Sequence, residues 1–219
     1  MSTRKFIAVC ILFFTFGIAS SVTAQENYYA KDGLYIGFNI PFNNIGGDFN
    51  GDTFLTDGFQ VILIPEVESS SGLGISVGGR FSELAFELNY LSSTHDATFL
   101  GAKGEADYNM VNLDFKYYYS ADKRFQPNLL FGLCVPWLVV KDGSSDGVDV
   151  GDATFQGFGL NIGGGIAYYI NPRVSISGGV IYRWISYHSA EGVSGGSQQL
   201  DDNLDGSGID FNVGITYTF

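Results

Sequence analysis

The sequence predicts an all-β protein, with eight antiparallel strands running up and down and closing into a transmembrane barrel. Three observations carry the prediction. Apolar and polar residues alternate with period two through most of the chain, as in strands with one apolar face. The connections between these stretches are short and long in turn. Charged residues recur opposite the aromatic-rich face, which suits lipid outside and a polar interior.

Residues 1–24 read as a secretory signal. Arg4 and Lys5 supply the positive start, 6–18 the apolar run, and Val22-Thr23-Ala24 the small-residue cleavage site. Cys10 lies within the apolar run behind Val9, a poor fit to a lipoprotein acylation site. A polar lead, 25–32, precedes the barrel domain, 33–219. No later apolar run reaches the length of a spanning helix.

The expected strands are 33–42, 72–81, 84–93, 107–119, 128–140, 157–170, 173–187 and 208–219. The first sets Leu34, Ile36, Phe38, Ile40 and Phe42 against Tyr35, Gly37 and Asn39. The third sets Leu84, Phe86, Leu88 and Tyr90 against Ala85, Glu87 and Asn89, and the fourth sets Leu113, Phe115 and Tyr117 against Asn112, Asp114 and Lys116. The last alternates most strictly: Ile209, Phe211, Val213, Ile215, Tyr217 and Phe219 face away from Asp210, Asn212, Gly214, Thr216 and Thr218. Each stretch has about the ten residues a tilted strand needs to cross.

Short turns are expected at 82–83, 120–127 and 171–172, and long connections at 43–71, 94–106, 141–156 and 188–207. Short periplasmic turns and long external loops place both termini in the periplasm. The run 59–65 is apolar without alternating, and Pro65 weakens it as a central strand. Pairing it with residues near 47–55 would make ten strands. The preferred count is eight, with the run extending the second strand or folding over the mouth. Phe81, Tyr117, Tyr119, Tyr168, Tyr217 and Phe219 fall near the periplasmic strand ends and Trp137 and Trp184 near the external ends, as two aromatic girdles require.

This pattern, with its terminal Phe219, resembles the small eight-stranded outer-membrane barrels of the OmpA/OmpX type, over residues 33–219. The resemblance implies a Gram-negative outer-membrane location among lipid and lipopolysaccharide. It also implies that Tyr217 and Phe219 form the signal read by the barrel-assembly machinery. A peptidoglycan-binding half is not expected after Phe219.

The formal net charge is −12, which disfavours nucleic acid as a partner. Through Asp107, the long connections hold sixteen acidic residues against Lys103 and Lys141. The plain reading is a solvated surface. The sharper one is divalent-cation binding, at Asp201, Asn203 and Asp205, which match the first half of a calcium loop. Asn212 stands where its closing Glu belongs. No cofactor is expected, and a monomer is.

Some small outer-membrane barrels are lipid-modifying enzymes. Here His95 lies near Ser93 and Asp96, and His188 near Ser189 and Glu191. His188-Ser189 resembles the His-x-Ser of the lipid A deacylases with the spacing off by one, and both histidines read as exposed loop residues. The protein is expected not to be an enzyme. Cys134, the single cysteine after the signal, reads as a small packed side chain.

Eight strands leave an interior that side chains fill. Inward Tyr35, Tyr118, Leu130 and Tyr169 add bulk. Arg80, Glu87, Asp114 and Lys116 should form one ion-pair network and Arg183 with Asp210 a second, because unpaired buried charges are costly. The expected role is structural or interaction-mediating through acidic external loops. The alternative is a narrow transport barrel for ions or, through a lateral route as in OmpW-type barrels, small apolar solutes.

Overall fold

The computed structural model describes residues 28–50, 53–57, 60–99, 102–141, 152–191 and 197–219. The signal, 1–24, lies outside the described residues. Eight long strands form the wall: β1 Gly33–Asn43, β2 Ser70–Phe81, β3 Leu84–Phe99, β4 Ala102–Tyr118, β5 Phe125–Lys141, β6 Ala153–Asn171, β7 Val174–Glu191 and β8 Gly208–Thr218. Each pairs antiparallel with the next. β8 returns to β1, from Tyr35 opposite Thr218 to Asn43 opposite Asp210, so the sheet closes and no edge is left along the seam.

The outward faces carry the predicted apolar residues. Phe38, Ile40 and Phe42 on β1, Phe86, Leu88 and Tyr90 on β3, and Phe211, Val213 and Ile215 on β8 all point away from the interior. They form a band around the barrel. Tyr217 and Phe219 stack edge to face at 5.3 Å at its rim, where the short turns lie.

Two of the long connections expected from the sequence, 94–106 and 188–207, are mostly strand, and strand enters both ends of a third, 141–156. β3 and β4 run on through 94–99 and 102–106, β5 reaches Lys141, β6 starts at Ala153, and β7 reaches Glu191. A further strand, Ser197–Asp205, continues the line of β8 and pairs with β7. The cause is an inversion of the alternation. Beyond the band the outward residues of β3 are Thr94 and Asp96, both exposed, while Ala97 points in and is buried. On β4 the outward Lys103 and Glu105 oppose buried Ala106, Tyr108 and Met110. The strand period is unbroken, but the apolar residues change face.

The barrel keeps eight strands. Gln60–Ile64 pairs with Thr53–Asp57 in a hairpin of its own, and the short strand Glu66–Val67 joins β3 opposite Thr98 and Ala97. Before the hairpin a single 3-10 turn, Gly47–Phe49, brings Phe49 among inward residues at the loop end. Its ring meets Phe155 at 5.6 Å and Tyr187 at 5.4 Å, and all three are fully buried.

At the turn end the lead crosses beneath the barrel. Tyr29 N–H donates to the Ala121 carbonyl at 2.9 Å and Lys31 N–H to that of Pro172 at 2.8 Å. The turn between β2 and β3 holds Ser82 at φ 59°, a left-handed conformation that disfavours a side chain. It is clamped from both sides: Asp32 accepts the Ser82 N–H at 2.7 Å, and Arg80 Nε donates to the Ser82 carbonyl at 3.0 Å.

Candidate functional site

Strand parity turns six charged side chains inward at the level of the band: Arg80, Lys116 and Arg183 against Glu87, Asp114 and Asp210. They form three arrangements rather than the two networks expected.

Nearest the loop end, Arg183 Nε donates to Asp210 across the β7–β8 pair, and its Nη1 donates to Asn112 Oδ1 at 2.8 Å. Asn161 Nδ2 bridges Asn112 Oδ1 and Asp114 Oδ1, both at 3.0 Å. Asp114 makes no ion pair among the described residues. Its carboxylate occupies the space left by Gly132, where an added Cβ would collide with Asp114 Oδ1.

In the middle, Lys116 Nζ pairs with Glu87 Oε1 at 2.8 Å, and Tyr35 O–H donates to Glu87 Oε2 at 3.0 Å.

Nearest the turn end, Arg80 departs from expectation. It does not pair with Glu87, although only 2% of its surface is exposed. Its guanidinium donates to Tyr169 Oη, to Gln126 Oε1 at 2.7 Å and to the Ser82 carbonyl, and lies 4.3 Å from the Tyr118 ring centroid. Neutral acceptors and aromatic faces replace the carboxylate, a use of the planar, weakly hydrated guanidinium that an ammonium would not match.

Between these layers is a cavity of about 90 Å³, lined by Glu87, Asp114, Lys116, Arg183, Asp210 and Asn212 among others. Room for a few waters is all it offers.

Sequence reasoning missed the neutral partners. Tyr35, Asn112 and Asn161 share the inward parity and heights of the charges, a signal present in the strand pattern. Gln126 fell within an expected turn, whereas β5 begins at Phe125.

The calcium-like run is a strand. Asn203 and Asp205 are exposed in Ser197–Asp205, and Asp205 Oδ1 accepts the Ser207 N–H at 2.9 Å. The side chain of Asp201 lies outside the described residues. Among those described, no three His, Cys, Asp or Glu side chains converge as metal ligands. At the loop end, Lys141 pairs with Asp107 at 2.6 Å and holds its carboxyl below the usual range.

The histidines part company. His188 is exposed, at a β-bulge between Tyr187 and Ser189. His95 is no loop residue: it points inward from β3 and is 1% exposed, bonded through Nε2 to Ser93 Oγ at 2.9 Å.

The model of the outer membrane protein beta-barrel domain matches residues 10–219. The chain belongs to that family. No curated protein matches it in sequence. Among solved structures, OprG from Pseudomonas aeruginosa superposes with a TM-score of 0.65 at 19% identity, over 87% of this chain and 98% of that one. Neisserial surface protein A gives 0.57 at 15%, over 85% and 97%. A major outer membrane protein from Thermus thermophilus gives 0.53 at 14%, over 85% and 99%. At these identities the likeness is one of fold, and the family places the protein in the outer membrane.

Proposed function

We propose that this outer-membrane barrel is a closed scaffold whose acidic loop end makes its contacts, with the turn end and both termini in the periplasm. The observation that carries this reading is the division of charge. The interior balances three cations with three anions around a small cavity. At the turn end Lys31, Lys123, Arg124 and Arg173 face Asp32, Glu83 and Asp122. The negative excess therefore lies almost wholly at the loop end, where it suits cationic partners or divalent ions bridging to lipopolysaccharide phosphates. Exposed Asn203 and Asp205 belong to that surface. The outward Tyr217 and Phe219 are read here as the signal for the barrel-assembly machinery. The barrel acts as a monomer and not as an enzyme.

Closure is tested in planar bilayers. The folded protein should show no large, steady conductance. Steady conductance whose size or selectivity changes in Glu87→Gln would overturn closure and favour a narrow transport barrel. Orientation is tested with Asp122→Cys, since the native Cys134 is buried. A membrane-impermeant thiol reagent applied to intact cells should leave Asp122→Cys unlabelled, and labelling would invert the topology.

A further inference from the structure

His95 lies beyond the membrane band, where the outward residues of β3 have become polar, and it joins two parts of the loop end. Its Nδ1 is 2.7 Å from the Glu68 carbonyl, and its Nε2 is 2.9 Å from Ser93 Oγ. A carbonyl only accepts, so Nδ1 carries the proton and Nε2 accepts from the serine. Asn43 Nδ2 donates to Ser93 Oγ at 3.0 Å, which commits the single serine proton to the imidazole. The chain of bonds thus has one direction, and it ends on Glu68.

Glu68 closes the return limb of the first long connection. Ile64 and Val67 of this limb are buried, Glu66–Val67 pairs with β3, and Glu68 N–H donates to the Asp96 carbonyl at 2.9 Å. Among the described residues, His95 makes the side-chain bond between Ile64–Glu68 and β3.

We infer that His95 is an acid-sensitive latch: a proton on Nε2 loosens the limb Ile64–Glu68 from β3. The charged ring would present an N–H to a hydroxyl whose own proton then has nowhere to go. Turning the Asn43 amide gives Ser93 an acceptor, because Asn43 Oδ1 is buried with no partner among the described residues. It also leaves the buried Asn43 NH₂ group without an acceptor. Either arrangement leaves a buried donor of Ser93 or Asn43 without an acceptor beside the charged ring.

The neighbours do not neutralise it. The Tyr108 ring meets the imidazole edge to face at 5.9 Å, Asp210 is engaged by Arg183, and Asp96 points outward into solvent. Burial accordingly holds the His95 pKa below its ordinary value. A depressed histidine stabilises the latched state fully above the ordinary value of about 6.5 and loses that contribution as pH falls through it.

Hydrogen exchange on the full-length protein in phosphatidylcholine nanodiscs tests the latch at pH 7.5 and 5.5. Corrected for intrinsic rates, opening at the Glu68 amide should rise up to about ten-fold at the lower pH. Amides of β3 and β4 within the band should not change. His95→Gln, which can still donate to Glu68 and accept from Ser93, should remove the pH dependence. Equal opening at both pH values in the wild type, or the same dependence in His95→Gln, overturns the latch. If His95→Gln does not fold, a ¹⁵N-imidazole titration of the wild type decides: an ordinary pKa for the buried histidine overturns the inference. Exchange reads the limb and conductance reads the lumen, so the latch and barrel closure can fail separately.

Discussion

The two storeys of the barrel obey opposite rules. Within the band Phe86, Leu88 and Leu113 face out while Glu87, Asn112 and Asp114 face in. Beyond it Asp96 and Glu105 face out while Ala97, Ala106, Tyr108, Phe155 and Tyr187 face in. On β3 and β4 the pairing runs through without a register shift, so the change there is chemical and not geometric, whereas β7 bulges between Tyr187 and Ser189. Each storey turns its apolar face away from water. In the band, lipid takes that face outside; above it, water surrounds the wall and the apolar residues have only each other. The lower interior is therefore held by directed polar contacts and the upper one by packing.

The largest test of that difference is Arg183→Met. It strands buried Asp210 and removes one of the two donors to Asn112 Oδ1, and unfolding in urea should show a loss of about 3–5 kcal/mol. Adding Asp210→Leu should recover much of it. A single-variant loss below about 1 kcal/mol would mean that water reaches the pair.

Phe49→Ala probes the upper storey. Losing this ring from between Phe155 and Tyr187 should weaken closure of its segment by about 3 kcal/mol, read as faster exchange at the Phe49 amide, which bonds to Gly46. The urea midpoint should hold. An equal fall in global stability would make the two storeys a single cooperative unit.

The smallest effect is expected at a turn. Ser82→Gly relieves the left-handed backbone and should raise global stability by about 1 kcal/mol. No gain would mean that the clamps from Asp32 and Arg80 already offset the strain.

What was legible in the sequence follows from the same division. Strand number, facing and the turn end could be read because lipid imposes one constant phase on the pattern. The extensions of β3, β4, β6 and β7 at the loop end could not, because a search for constant phase stops near Ser93 and Asp107, where the apolar residues change sides. The inward charges were legible by parity, and so were the heights of Arg183 and Asp210. The partners of Arg80 were not, since Tyr118, Tyr169 and Gln126 come from different strands and carry no charge to announce them. His95 was misplaced for the same reason as the strand that carries it.

The lead at the turn end also orders events in time. Residues 29–31 precede β1 in the chain, yet their carbonyl acceptors belong to the turns after β4 and after β6. The first of these is four strands around the wall. The lead is thus made first and fastened late, because no partly built sheet brings Ala121 and Pro172 across from β1. The fastening marks completion: a chain whose lead is docked has already closed.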